Sequence, residues 1–355
     1  MSKSLLKGNI AVCEGAIKAG CRCFFGYPIT PQNEIPDYLS WRMPEVGGTF
    51  LQAESEVAAI NMVYGASCAG ARALTTSSSP GISLMQEGIS YLVGAELPAV
   101  IVNVARGGPG LGNIAPSQSD YFQATKGGGH GDYSLLVLAP WSVQEMFELT
   151  YDAFDLSDRY RIPAMVLTDG ILGQMMEPVD FDTREEASSP PKPWITDGAK
   201  GRKKNIINSL YIDPDVLYQH NLKLRARFEE ARREEIRYEE HLTEDADIVL
   251  VAYGTSARTA YSACEAARER GFKVGMFRPI TLSPFPEERL SQLAEQCRGL
   301  VTVEMSLGQL VYDVRLCSQG RPVHLVSKTA GLIPEVGDVI EVIQEHFALE
   351  EARSG

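Results

Sequence analysis

The sequence predicts an α/β protein with a doubly wound parallel sheet, followed by a smaller α/β domain. Short apolar segments alternate with helical patterns along residues 7–180, and the alternation resumes after residue 245. Segments such as residues 98–104 are rich in valine and isoleucine, which is typical of parallel strands covered on both faces. These observations divide the chain into a first domain at 1–180, a connecting segment at 181–244 and a second domain at 245–355.

The elements of the first domain follow in chain order. Asn9 can cap a helix that runs to Ala19, where Gly20 ends it. Strands are predicted at residues 22–26, 48–51, 72–76, 98–104, 135–138 and 163–168. Helices are predicted at 33–41, from 54 onward, from Pro80 onward, at 117–125 and at 142–158.

A change of composition separates the two domains. Residues 178–201 contain several prolines and polar residues, so they are predicted to form a linker or a wrapping arm. Glutamate and arginine recur three and four positions apart along residues 216–242, which predicts a solvated helix lying across a partner. In the second domain, strands are predicted at 248–253, 273–277, 300–303 and 323–326, and a helix at 256–270.

Composition excludes several classes of protein. Of the 355 residues, 44% are hydrophobic and 22% are charged, as in soluble globular proteins. The formal net charge of −13 argues against binding to nucleic acids or to acidic membranes. We recognise no secretory signal and no membrane span, so a cytoplasmic location is predicted. The 7 cysteines form no CxxC pair, so neither a zinc site nor an iron–sulfur cluster is predicted in this chain.

The loop after the first predicted strand is a candidate binding element. It reads Tyr27-Pro28-Ile29-Thr30-Pro31. Each proline fixes its own φ angle and disfavours the α region for the residue before it. Thr30 is therefore predicted to be extended, on a stiff loop at the carboxyl end of a strand. Open α/β sheets bind ligands at that edge.

Two glutamates, Glu54 and Glu56, lie in the first turn of a predicted helix. A carboxylate there complements the helix dipole, and an exposed charge is the simpler interpretation. However, Val57, Ala58, Ala59, Ile60, Met62 and Val63 are small or apolar, which predicts a helix buried on almost all sides. A glutamate that enters a buried helix is either paired or functional.

Arg106 follows an apolar strand, interrupted only by Asn103, and precedes two glycines and a proline. Its guanidinium could pair with a nearby acid or clamp a ligand's carboxylate, and the residues alone leave both open. Residues 110–115 match a dinucleotide-binding glycine pattern, but they lie too far from the strand and Pro116 interrupts the helix that should follow. We therefore reject a nicotinamide site. The glycine-rich residues 127–132 are predicted to be a mobile loop near a ligand.

Four motifs together carry a family resemblance: Tyr27-Pro28-Ile29-Thr30-Pro31, Glu54-Ser55-Glu56, the turn at residues 77–81, and residues 106–109 continuing to 117–120. They resemble the α subunit of thiamine-diphosphate-dependent 2-oxoacid:ferredoxin oxidoreductases, most strongly over residues 7–180. Residues 245–350 resemble the transketolase C-terminal-type domain of that subunit more loosely. Residues 31–36 and 127–133 favour the 2-ketoisovalerate (3-methyl-2-oxobutanoate) branch, and the 2-oxoglutarate branch is the alternative.

The resemblance implies how the first domain binds its cofactor. Residues 1–180 would form a pyrimidine-binding domain for thiamine diphosphate. Glu56 would hydrogen-bond the aminopyrimidine ring of the cofactor. Tyr27, Pro28 and Ile29 would lie beside that cofactor. The chemistry requires a buried carboxyl group at this point, because the ring must adopt its imino tautomer to be activated.

The resemblance also implies the reaction. A 2-oxoacid would be oxidatively decarboxylated with CoA to give acyl-CoA, CO₂ and reduced ferredoxin. Thr30 and Arg106 would hold the carboxylate and carbonyl end of the oxoacid. Asp120 and the turn at 77–81 would line the channel for the substrate or CoA. The direction of flux stays open.

Some parts of such an enzyme are missing from this sequence. The family's diphosphate-binding Gly-Asp-Gly, with its Mg²⁺ ion and a later asparagine, has no counterpart, since Thr168-Asp169-Gly170 lacks the first glycine. The resemblance therefore implies a β subunit with the diphosphate, Mg²⁺ and [4Fe-4S] sites, a γ subunit and a ferredoxin-like δ subunit. Two alternatives are a thiamine-dependent subunit that does not use ferredoxin, and a non-catalytic scaffold that binds through residues 216–242.

Overall fold

The computed structural model describes residues 3–187 and 189–347. Its strands are β1 (Ser4–Lys7), β2 (Cys23–Gly26), β3 (Thr49–Gln52), β4 (Ala73–Ser77), β5 (Val100–Ala105), β6 (Leu136–Leu138), β7 (Ala164–Asp169), β8 (Met176–Val179), β9 (Tyr238–His241), β10 (Ile248–Val251), β11 (Val274–Pro279), β12 (Thr281–Ser283), β13 (Gly299–Glu304) and β14 (Val323–Ser327). Its α-helices are α1 (Gly8–Lys18), α2 (Glu34–Glu45), α3 (Glu56–Cys68), α4 (Ser79–Gly94), α5 (Tyr121–Thr125), α6 (Val143–Tyr160), α7 (Gly170–Gln174), α8 (Pro214–Glu234), α9 (Gly254–Glu269), α10 (Glu287–Gln296), α11 (Leu310–Cys317) and α12 (Val336–His346).

A seven-stranded sheet in the order β12-β6-β7-β5-β4-β2-β3 forms the first domain. All neighbours are parallel except β12, which runs antiparallel to β6. The predicted doubly wound parallel sheet is therefore confirmed. Because β3 lies on one side of β2 and β4 on the other, the strand order reverses at β2. The carboxyl ends of β2 and β4 thus border the crevice where such sheets bind ligands.

The second domain contains a five-stranded sheet in the order β14-β13-β10-β11-β9. Its strands are parallel apart from β9, which pairs antiparallel with β11. The helix predicted to reach residue 242 is wrong at its carboxyl end, since α8 ends at Glu234. Its predicted last turns instead form β9, where Tyr238 stacks on Phe277 with ring centroids 5.2 Å apart and Glu239 accepts hydrogen bonds from Arg278.

Several short elements also differ from the prediction. β1 and β8 pair antiparallel with each other and were not predicted. Of the helix predicted at 117–125, only the five residues of α5 are helical. Residues 117–119 instead hydrogen-bond to the second domain.

Helix α3 is buried on one face only, and not on almost all sides as predicted. Ala59, Ile60 and Val63 lie in the core, where α3 packs against α4 and the sheet. Along the opposite face, Val57 is 45% exposed, and Asn61 and Gly65 are also exposed. The apolar residue Val57 misled the prediction, because nothing in the described part of this chain covers that face.

One hydrophobic cluster covers one face of the large sheet and continues into the second domain. A second cluster covers the other face of the large sheet, and a third completes the core of the second domain. The seven cysteines are free thiols, five of them buried and two partly buried. Among the described helices, none is both long and apolar enough to cross a bilayer.

Candidate active site

The loop after β2 is held by hydrogen bonds from the buried side chains of Asn9 and Gln32 and from the exposed side chain of Gln174. The Gln32 side chain donates to the Tyr27 carbonyl oxygen at 3.2 Å and accepts from the Thr76 hydroxyl at 2.6 Å. The carbonyl oxygen of Pro31 accepts from Asn9 Nδ2 at 2.9 Å and from Gln174 Nε2 at 3.2 Å. The Thr30–Pro31 peptide is cis. The loop is therefore fixed in place, and Gln32 and Asn9 contribute although the sequence analysis did not identify them.

The predicted cofactor residues on this loop differ in exposure. Tyr27 and Pro28 are exposed, whereas Ile29 and Thr30 are partly buried. The Thr30 hydroxyl accepts from Asn33 Nδ2 at 3.2 Å. Its own proton is thus free to be donated to a ligand.

Glu56 is the first residue of α3, and only 5% of its surface is exposed. Ser55 caps the helix by accepting from the Ala58 amide at 3.2 Å. Ser77 at the end of β4 donates to Glu56 Oε1 at 3.5 Å. The interpretation of Glu56 as an exposed charge is therefore wrong, whereas Glu54 is exposed.

A glycine makes room for the Glu56 carboxyl group. A Cβ atom at Gly81 would lie 2.4 Å from Glu56 Oε1 and 2.0 Å from Ser77 Oγ. Both distances are far shorter than van der Waals contact. Any side chain at this position in α4 would displace the carboxyl group.

Arg106 follows β5, and 6% of its surface is exposed. Its Nη1 donates to the carbonyl oxygen of Thr30 at 3.0 Å, and its Nη2 donates to that of Leu111 at 3.2 Å. The guanidinium thus donates hydrogen bonds to two main-chain carbonyl groups, and it pairs with no carboxylate among the described residues. Its Nε is buried and has no partner among the described residues. A positive charge with an unused donor therefore lies beside Thr30.

Asp120 belongs to a polar network behind Arg106. Its Oδ2 accepts from Ser79 Oγ at 2.6 Å and from Asn103 Nδ2 at 2.8 Å. Burial raises the pKa of Asp120 above its ordinary value, and these two hydrogen bonds offset only part of the shift. The Ser79 hydroxyl in turn accepts from the Arg106 amide at 2.9 Å.

A cavity of about 680 Å³ opens beside Thr30. Its lining is mainly apolar and consists of Thr30, Pro31, Asn33, Glu34, Ile114, Pro116, Gly170, Ile171, Gln174 and Met175. Burial alone would raise the pKa of Glu34, but hydrogen bonds from the backbone, Gln174, Lys7 and Asn9 hold it below the usual value. The cavity therefore has one carboxylate on its wall, and no lysine or arginine among the described residues that line it.

Two other predicted features serve local structure. Asp169 accepts from the amides of Ile171 at 2.9 Å and Leu172 at 3.4 Å, so it caps α7. In the loop at 127–133, Gly129 donates to the Tyr133 hydroxyl at 2.9 Å, and Ser90 of α4 donates to the His130 carbonyl at 2.7 Å. The described residues contain no group of three or more histidine, cysteine, aspartate or glutamate side chains that could hold a metal ion.

Comparison with known proteins identifies the family. Residues 14–240 match the thiamine-diphosphate-binding domain of pyruvate flavodoxin/ferredoxin oxidoreductases. Residues 246–339 match core domain II of pyruvate:ferredoxin oxidoreductases. The chain belongs to the 2-oxoacid:ferredoxin oxidoreductase family. The predicted family resemblance is thereby confirmed.

Curated members of the 2-oxoacid:ferredoxin oxidoreductase family match almost the whole chain. A ketoisovalerate oxidoreductase subunit, VorB, from Methanothermobacter marburgensis is 53% identical over 97% of this chain and 98% of its own length. A 2-oxoglutarate synthase subunit, KorA, from Methanocaldococcus jannaschii is 41% identical over 93% of this chain and 96% of its own. Both are named as subunits, so the chain is similar to components of multi-subunit enzymes.

Solved structures agree with membership of the 2-oxoacid:ferredoxin oxidoreductase family. The 2-oxoglutarate:ferredoxin oxidoreductase of Magnetococcus marinus, solved with 2-oxoglutarate, coenzyme A and succinyl-CoA, superposes with a TM-score of 0.84 at 26% identity. The match covers 97% of this chain but 65% of that chain. A split-gene transketolase superposes with a TM-score of 0.59 at 14% identity and supports the fold alone.

Proposed function

We propose that this chain is the α subunit of an enzyme that converts a 2-oxoacid and CoA into acyl-CoA, CO₂ and reduced ferredoxin. The observation that carries the proposal is the buried Arg106 beside Thr30, with a guanidinium donor that no described residue uses. A 2-oxoacid presents a carboxylate and a neighbouring carbonyl oxygen to such a pair. Arg106 would bind the carboxylate, and the Thr30 hydroxyl would donate to the carbonyl end.

Glu56 fits the pyrimidine half of thiamine diphosphate. It is a buried carboxyl group at the sheet edge where ligands bind, and Gly81 leaves space around it. Its one described hydrogen bond, from Ser77 at 3.5 Å, is long and leaves acceptor capacity for the ring. Thiamine diphosphate, when bound, supplies the carbon nucleophile and takes up the electron pair that decarboxylation releases. Glu56 would hold the ring, and Tyr27, Pro28 and Ile29 would border it.

The lining of the cavity supports 2-ketoisovalerate as the preferred oxoacid. Its branched side chain needs apolar walls, which Ile114, Ile171 and Met175 provide. The alternative substrate, 2-oxoglutarate, would bring a second carboxylate toward Glu34. The greater similarity to a ketoisovalerate oxidoreductase subunit than to a 2-oxoglutarate synthase subunit points the same way.

The proposal includes partner subunits. A β subunit would supply the diphosphate, Mg²⁺ and [4Fe-4S] sites, and γ and ferredoxin-like δ subunits would pass electrons to ferredoxin. The open face of α3 begins at Glu56, so a β subunit covering Val57, Asn61 and Gly65 would enclose the cofactor. We assign residues 1–180 to pyrimidine binding, 181–244 to a connecting segment and 245–355 to a transketolase C-terminal-like domain. The proposed location is the cytoplasm.

The test is a turnover assay on the complex purified through this chain. The assay contains thiamine diphosphate, Mg²⁺, CoA, a low-potential electron acceptor and a panel of 2-oxoacids. Preference for 2-ketoisovalerate supports the whole proposal. Preference for 2-oxoglutarate supports the proposed reaction but contradicts the proposed substrate. If no oxoacid reduces the acceptor although a cluster-bearing partner is bound, the proposed reaction is wrong.

A further inference from the structure

The segment at residues 117–122 joins the second domain to the region around Arg106. Gln118 is 3% exposed, and its side chain points into the second domain. Its Nε2 donates to the Tyr253 carbonyl oxygen at 2.8 Å. Its Oε1 accepts from Ser256 Oγ at 2.6 Å and from the Met305 amide at 2.9 Å. Tyr253 and Met305 each follow a strand of the second sheet, so Gln118 is fixed at the carboxyl edge of that sheet.

Two residues later the segment turns toward the first domain. Asp120 accepts from Ser79 and Asn103, and the Ser79 hydroxyl accepts from the amide of Arg106. The Ser79 amide also donates to Asn103 Oδ1 at 3.2 Å. The main chain at residues 118–120 therefore links the hydrogen bonds that Gln118 makes with the second domain to those that connect Asp120, through Ser79, with the main chain of Arg106.

A second contact holds the loop that Arg106 begins. Asn113 Nδ2 donates to the carbonyl oxygen of Ala330 in the second domain at 3.0 Å. The amide of Gly107 donates to the Ala115 carbonyl oxygen at 2.9 Å, which ties the two sides of the loop together. The loop is thus anchored to the second domain on either side of Pro116.

We propose that the second domain positions Arg106 for the oxoacid, with Gln118 and Asp120 as positioning residues. This inference rests on the proposed function, because it assumes that Arg106 binds the oxoacid carboxylate. Asp120 then acts through Ser79 on the Arg106 main chain, and its charge is not needed to bind the substrate. A shift of about 1 Å in a substrate-binding group can lower kcat/KM by as much as about 100-fold, so the second domain can affect oxoacid binding without touching the oxoacid.

The test measures steady-state kinetics of the complete complex with Gln118→Ala. We expect KM for the oxoacid to rise about tenfold, as loss of a buried hydrogen-bonding group commonly does, while KM for CoA and kcat change less than about threefold. The matched control is Ser283→Ala. This variant also removes a buried hydrogen bond, in which the Ser283 hydroxyl of β12 donates to the Leu135 carbonyl oxygen at 2.7 Å. This control should leave KM for the oxoacid unchanged.

A double-mutant cycle shows whether Gln118 acts through Arg106. In an Arg106→Ala background, Gln118→Ala should raise KM no further, since the group that it positions is gone. Additive effects would overturn the inference. If Gln118→Ala does not assemble, Ser256→Ala replaces it, because this variant removes only one donor to Gln118; an unchanged KM would then overturn the inference.

Two substitutions of Asp120 separate positioning from substrate binding. Asp120→Asn keeps an acceptor oxygen for Ser79 and should stay within about threefold of the wild-type KM, whereas Asp120→Ala should raise it about tenfold. Equal losses in both variants would mean that the charge itself is required, which contradicts the inference. If Arg106→Ala leaves KM for the oxoacid unchanged, Arg106 does not bind the oxoacid, and the inference fails with that assignment. If Arg106→Ala raises KM but the Gln118 and Asp120 variants do not, the inference alone fails. The proposed reaction itself fails only if the complex reduces the acceptor with none of the oxoacids.

Discussion

Arg106 Nη1 donates to the carbonyl oxygen of Thr30 across 3.0 Å, and this hydrogen bond joins the loops that follow β5 and β2. The strand β4 lies between those two strands in the sheet. The contact therefore spans the carboxyl ends of three neighbouring strands, and it leaves the guanidinium Nε and the Thr30 hydroxyl proton without an acceptor among the described residues.

Arg106→Ala should raise KM for the oxoacid and lower kcat/KM by about 100-fold, because a charge-assisted hydrogen-bonding group is lost. The kcat/KM of Arg106→Lys should lie between those of Arg106→Ala and the wild type. An ammonium group keeps the charge but cannot reach both carbonyl groups and the ligand. Initial rates at varied oxoacid concentration measure the effect. Unchanged kinetics in Arg106→Ala would remove this residue from the site.

Glu56→Ala should abolish decarboxylation while the complex still assembles, because the carboxyl group acts on the cofactor and makes one long hydrogen bond with the described residues. Release of CO₂ from a carboxyl-labelled oxoacid measures turnover, and size-exclusion chromatography measures assembly. Glu54→Ala is the matched control, since Glu54 is two residues away and exposed. Near-normal turnover in Glu56→Ala would contradict the assignment.

Gly81→Ala should lower both turnover and affinity for thiamine diphosphate without removing any catalytic group. The added methyl would press on Ser77 Oγ and Glu56 Oε1, at 2.0 and 2.4 Å from its ideal position. Gly337→Ala in α12 is the control, because its Cβ meets no atom within 4 Å. That control should keep cofactor affinity and stabilise the chain by up to about 1 kcal/mol. Isothermal titration of thiamine diphosphate into each complex compares the two; equal affinities would show that Glu56 tolerates the displacement.

Glu34→Gln should weaken the preference of the enzyme for 2-ketoisovalerate over 2-oxoglutarate. The change removes the carboxylate from the cavity wall and frees Lys7, which now lies 3.1 Å from Glu34 Oε1. We expect kcat/KM for 2-oxoglutarate to rise about three- to tenfold while that for 2-ketoisovalerate stays nearly constant. Competition between the two oxoacids in one assay gives the ratio directly. An unchanged ratio would mean that the side chain of the substrate lies elsewhere.

Asp120 should destabilise the native protein as pH rises. Burial raises the pKa of Asp120 in the folded state. The folded protein therefore favours the protonated carboxyl group, and this contribution to stability is fully present below the unfolded pKa of about 3.9. It is lost as the pH rises through the folded pKa. Asp120→Asn cannot ionise, so its Tm relative to wild type should increase between about pH 4 and about pH 8. Thermal unfolding of both proteins across this range measures the difference. A constant difference would contradict the shift.

The site residues that could be identified from the sequence are marked by patterns among their neighbours in the chain. Thr30 lies between two prolines, and Arg106 follows a strand that is apolar except for Asn103, so each could be assigned to the carboxyl end of a strand. Glu56 needed the additional observation of the apolar helix after it. Glu56 and Arg106 are buried and Thr30 is partly buried at the carboxyl edge of the parallel sheet. The alternation of strands and helices already predicts such a sheet, but not the order of its strands.

The residues that the sequence missed depend on distant contacts. Gln118 and Tyr253 are 135 positions apart, and no local pattern marks them as partners. The strand β9 contains two adjacent glutamates and continues the polar pattern of α8, so only its pairing with β11 defines it. Val57 looks like a core residue because it is apolar, and its exposure is apparent only once the surrounding elements are in place.

The strand β12 limits how genes for this subunit could be rearranged. It comes from the second half of the chain, yet it forms the edge of the first domain's sheet beside β6. A gene split between the two domains would leave β6 without a neighbour on that side, and the exposed edge would favour aggregation. Fusions or fissions that preserve folding should therefore fall outside residues 136–283, and not at the point where the two family domains meet.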